Sequence, residues 1–105
     1  MIMNLDAILE LSRQAGAAGE FETSYHLLMA AVHLADHQGD MAGLQTIAAL
    51  VKQQTEALEA VSPPHRLSRA HAADRGHVGL FDTLVTHIKS VELRHAAEQQ
   101  RRRSP

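Results

Sequence analysis

Apolar residues recur along this chain at spacings of three and four, the period that places side chains on one face of a helix. Four such stretches are visible. The first carries Leu5, Ile8, Leu9 and Leu11, with Asn4 placed to cap it and with Asp6 and Glu10 near its N-terminal end, where the helix dipole favours anions. Ala15-Gly16-Ala17-Ala18-Gly19 is expected to end it, because two close glycines make continuation costly. The second stripe is Phe21, Tyr25, Leu28, Met29, Val32 and Ala35. Gln38-Gly39-Asp40 then reads as a stop followed by a cap. The third stripe is Leu44, Ile47, Ala48, Val51 and Leu58, broken at Ser62-Pro63-Pro64. From His65 to Gly79 the chain is polar, with Leu67 nearly the only large apolar residue before Val78. It reads as a linker in which a short helix fits at Ser68–Asp74. The last stripe is Leu80, Phe81, Leu84, Val85, Ile88 and Val91, and the end from Gln99 to Pro105 has no apolar residue and is expected to fray.

These stretches predict an all-α fold of four to five helices. The boundaries are about 5–17, 21–38, 41–61 and 80–99, with a linker over 62–79. A length of 105 residues bounds this to a single helical domain, taken as 1–100, with a disordered basic tail at 101–105. Short connections among the first three helices favour antiparallel neighbours. Composition sharpens the picture. Aromatic residues are 3% and tryptophan is absent, so the core must be aliphatic, which suits close-packed helices better than sheets. The lack of cysteine excludes disulfides, thiolate catalysis and cysteine-based zinc sites. The first residues carry no basic stretch before an apolar run, and no run approaches the roughly 20 apolar residues that span a bilayer. The expectation is a soluble, cytoplasmic protein with no membrane partner.

Charge is unevenly spread. Residues 1–61 carry eight acids and two bases, giving −6, and residues 62–105 carry four acids and eight bases, giving +4. Opposite halves can attract within a chain or between chains, or leave a basic segment for an anionic partner. Eight histidines would take the formal charge from −2 to +6 if all were protonated, so association or solubility is expected to respond to mild acid.

The stretch from Leu5 to Asp40 resembles one tetratricopeptide repeat (TPR) followed by the start of another. Ile8 and Leu11 match large positions of the first helix, and Ser12 the small position beside them. Gly19-Glu20-Phe21 is similar to the family's Gly-Asp-Tyr turn, and Leu28 and Ala31 match the large and small positions of the second helix. Ala15 stands where the family has tyrosine, Ser24 where it has alanine and Asp36 where it has proline. The next first-helix pattern, Leu44, Ile47, Ala48 and Val51, falls 36 residues after the first, against a usual 34. No second turn follows on schedule, so about 1.5 degenerate repeats over residues 5–61 are covered. The resemblance implies helical hairpins and a partner groove lined by first-helix residues: Asp6, Leu9 and Arg13, with Gln45, Ala49 and Lys52 from the third helix. The family's peptide-carboxylate clamp uses lysine and asparagine where this chain has Leu9 and Arg13. An ordinary small helical bundle is the other fold open to the same pattern.

Candidate chemistry is sparse. His33 and His37 are spaced i,i+4 and His26 lies two turns before His33, a pattern that can present neutral imidazoles to a metal. Glu92-Leu93-Arg94-His95 has the Glu-x-x-His spacing of di-iron bundles, but only one copy is present where two are needed. Solvated polar faces account for both. Arg101–Arg103 could meet phosphate, yet no aromatic stacking residues or nucleic-acid module accompany them. No Gly-x-Ser-x-Gly, phosphate loop or His-Glu-x-x-His is present. Asp74-Arg75-Gly76-His77 has reactive types but reads as a connector. The sequence thus favours a non-enzymatic interaction module without cofactor, binding a protein partner or itself as a homodimer. A metal-binding or sensory helical bundle using His26, His33, His37, Glu92 and His95 is the alternative. An accessory protein for an anionic partner comes third.

Overall fold

A computed structural model of the chain describes residues 4–61 and 80–103. Among the described residues it holds four helices, α1 (Leu5–Ala17), α2 (Phe21–Gln38), α3 (Met41–Val61) and α4 (Leu80–Arg103), and no strand. The fold is therefore all-α, as the apolar periodicity requires. The proposed linker over 62–79, with its short helix at 68–74, lies outside the described residues.

The helix ends follow their local chemistry. Asn4 Oδ1 accepts the Asp6 amide at 2.9 Å and Asp40 Oδ1 accepts the Gly43 amide at 2.8 Å, satisfying N-terminal donors that have no partner inside their own helices. Gly39 closes α2 in the left-handed region, φ +66°, where a Cβ would strain the backbone. α4 departs from expectation. It continues to Arg103 rather than ending near Gln99. Gln and Arg are good helix formers, and three cations in the last turn complement the partial negative charge at a helix C-terminus.

Side-chain contacts fix how the helices run. Leu5 of α1 approaches Gly43 of α3, and Ser12 and Gly16 meet Gln54, so α1 and α3 are parallel. Tyr25 of α2 meets Phe81 of α4 with ring centroids 6.1 Å apart, His33 faces His87, and Asp36 meets Arg94 and His95. α2 and α4 are thus also parallel. With tight turns joining α1 to α2 and α2 to α3, the result is two antiparallel helix pairs, α1/α2 and α3/α4, laid one on the other.

One apolar cluster joins both pairs. Leu28, Val32, Leu44, Ile47, Val51, Leu58 and Leu84 are fully buried, with Leu9, Phe81 and Ile88 almost so. Each buried leucine or isoleucine contributes roughly 1.5–3 kcal/mol. Tyr25, Met29 and Ala48, read as full members of their stripes, are only half-buried at its margin. Leu11 is a clear correction: it is 52% exposed, and α1 instead buries Ser12 and Ala15. Small residues there let α1 and α2 approach closely. Ser12 Oγ and Ser24 Oγ lie 2.8 Å apart in the buried crossing, so each hydroxyl finds a partner in the other. Gly16 does the same for α3, since a Cβ there would fall on the Gln54 amide.

Candidate functional site

The residues singled out by sequence are spread over the molecule. Asp6 and Arg13 are exposed on α1, and Gln45 and Ala49 are exposed on α3, which packs beside it. Leu9 does not line a groove with them, because it is 2% exposed and belongs to the core. It packs into the shared apolar cluster rather than toward solvent. Lys52 is exposed but lies toward α4, where it borders a groove with Val85.

The histidines divide in the same way. His26 is exposed and stacks edge-on against its neighbour Tyr25, with centroids 5.3 Å apart. His33 is exposed, and its ring lies 5.8 Å from that of His87 across the α2/α4 seam. His37 borders an open cleft of about 280 Å³ with Asp36, His95, Glu98 and Arg102. Glu92 is half-buried on α4. Among the described residues, no three of His, Cys, Asp or Glu gather as ligands for a metal ion.

What the seam does contain is an ion-pair cluster that links helices far apart in sequence. Asp36 Oδ1 accepts hydrogen bonds from the Arg94 guanidinium and from His95 Nε2, the latter at 2.9 Å. An ionised carboxylate only accepts, so the His95 proton sits on Nε2 in this contact. The Arg94 bond first, then the His95 bond, hold the Asp36 carboxyl below its ordinary acidity range. Asp36 is 28% exposed and His95 19%, while Arg94 stays 54% exposed. The cluster therefore stitches the end of α2 to α4. Sequence reasoning missed its key partners, Arg94 and His87. Both stood beside residues already noted, but only the parallel α2/α4 register brings them to Asp36 and His33.

Two further surfaces lie on the outer sides of the helix pairs. Between α1 and α2, Leu11, Gln14, Ala15, Glu20, Thr23 and Leu27 line a shallow groove of about 280 Å³. Between α3 and α4, Ala48, Lys52, Thr55, Glu56 and Val85 line a deeper, more apolar one of about 360 Å³. Val85 is 42% exposed there. Among the described residues no helix is long and apolar enough to cross a membrane. No protein-family model matches the chain, and no curated protein or solved structure is significantly similar to it.

Proposed function

We propose that this chain is a non-enzymatic protein–protein interaction module of the cytoplasm, TPR-like in its stacked hairpins and able to self-associate. One observation carries the reading. The two helix pairs cover each other on their inner sides, but large apolar residues remain exposed, Leu11 at 52% and Val85 at 42% on the outer sides and Leu93 at 68% on α4. Stacked-hairpin proteins close such ends with polar faces or with further repeats. Leu11 and Val85 leave the outer sides of the described helices partly apolar, and a protein surface is the natural cover. The parallel α1/α3 and α2/α4 registers support the stacked arrangement, since that is how consecutive hairpins lie in a repeat array. The exposed Asp6 and Arg13 of α1 and Gln45 and Ala49 of α3 are the surface assigned to a second protein. Light scattering over a wide concentration range tests the reading, together with cross-linking in the native cell. Concentration-dependent mass or a specific cross-linked partner supports it. A chain that is monomeric throughout and cross-links to nothing rejects it.

The metal-binding alternative has one observation in its favour, the approach of His33 to His87 across the seam. It predicts bound transition metal in the purified chain and lower stability with chelator. Metal-free protein whose melting is indifferent to chelator ends it.

A further inference from the structure

We infer that two copies of this chain pair about a two-fold axis across the outer α3/α4 groove, each copy's groove being covered by the same edge of the other. This rests on the interaction reading above and adds the surface and its symmetry.

The groove has an apolar floor. Ala48 is half-buried and Val85 is 42% exposed. Thr55 bonds its hydroxyl to the Val51 carbonyl at 2.8 Å, so its polar atom is already satisfied within α3. Two charges of opposite sign, Lys52 and Glu56, stand one helical turn apart along this floor. Both are exposed, and among the described residues neither makes an ion pair.

A two-fold interface requires that if residue i meets residue j of the partner, then j meets i. Lys52 and Glu56 meet that requirement alone. An axis passing between them, with the two α3 helices antiparallel, sets Lys52 over the partner copy's glutamate and Glu56 over its lysine. Two equivalent ion pairs then sit beside the axis, with Ala48 of each copy one helical turn outside them and Val85 alongside on α4. The outer α1/α2 groove fails the same test. Among the described residues Glu20 is its one charged lining residue, with no cation there to answer it. Its helix pair, residues 5–38, carries five acids (Asp6, Glu10, Glu20, Glu22, Asp36) against one base (Arg13), so two such edges repel.

Sedimentation equilibrium of the full chain and its variants tests this, with circular dichroism confirming that each variant keeps its helices. The wild type is expected to dimerise, and Val85→Glu to raise the dimer Kd by about tenfold or more. Lys52→Glu and Glu56→Lys should each weaken the dimer, and the double reversal in one chain should restore it, because the pairs re-form with their signs exchanged. Leu11→Glu should leave it unchanged. A dimer that is indifferent to Val85→Glu, that is not restored by the double reversal, or that is lost with Leu11→Glu overturns the surface while leaving self-association standing. A wild-type monomer at every concentration overturns self-association as well.

Discussion

Asp36 shows how little of a residue's role lies in its own identity. In sequence it is a polar residue near the end of α2, at a position where the repeat family has proline. In the fold it accepts from Arg94 and His95, and its carboxyl is held below the ordinary range. A carboxylate whose folded pKa is lowered adds stability above its unfolded value near pH 4, and that stability is lost as pH falls through the lower folded value. Urea unfolding from neutral pH down to pH 3 should therefore show a steeper acid loss for wild type than for Asp36→Asn. The partners are partly exposed, so the difference at neutral pH should stay within about 1 kcal/mol. Equal acid slopes would show that the contact is not coupled to folding. Gln54 presents the opposite case. It is 6% exposed, its Nε2 lies a long 3.5 Å from the Ser12 carbonyl, and its buried Oε1 has no partner among the described residues. An unpaired buried acceptor costs about 1–3 kcal/mol. Gln54→Leu, similar in volume, should raise stability by about 1 kcal/mol, read as a higher urea midpoint; a lower midpoint would mean that the amide is better satisfied than its geometry shows.

At the scale of the element, the helices are set by their ends as much as by their stripes. Gly39 is the stop signal of α2 and Asp40 the cap of α3 whose Oδ1 holds the Gly43 amide. Asp40→Ala removes that bond and should destabilise the domain by about 1 kcal/mol, whereas Asp40→Ser should recover most of it; thermal unfolding of the two variants compares them. These signals were legible because capping needs only residues two or three apart. The end of α4 was not, since three arginines read as a solvated tail when taken by themselves. Attached to a helix already formed by Phe81, Leu84 and Ile88, they simply extend it. Leu11 failed for a related reason. Helical spacing ranks it with Ile8, but Ser12 and Ala15 make the close crossing with α2, and that rotation leaves Leu11 on the outer edge.

For the molecule as a whole, stability is concentrated where both helix pairs share one cluster. Leu28 is fully buried at that junction. Leu28→Asp places an unpaired charge there and should unfold the domain, with loss of the helical circular dichroism signal at neutral pH. A variant that remained helical and cooperative would mean that α2 can turn another face inward. The wider consequence is architectural. Two stacked pairs make one core but leave large apolar residues exposed, Leu11 on α1 and Val85 and Leu93 on α4. A solitary pair could not bury its stripe, and two pairs bury only their shared side, which is why the surface rather than the interior suggests a role in association.

Local pattern by itself located the four described helices, their starts and most of their inward faces. Periodicity, caps and breakers act over a few residues, so they can be read without knowing what lies across the fold. Short connections already implied that α1 runs parallel to α3, but tertiary structure alone decided that α4 runs parallel to α2 and how the helices are registered. From that register follow the meeting of Asp36 with Arg94, the approach of His33 to His87 and the placing of Lys52 beside Val85. These are contacts between residues some 30 to 60 positions apart, and their geometry depends on how each helix is rotated against its neighbours. No spacing within a single stretch encodes that rotation.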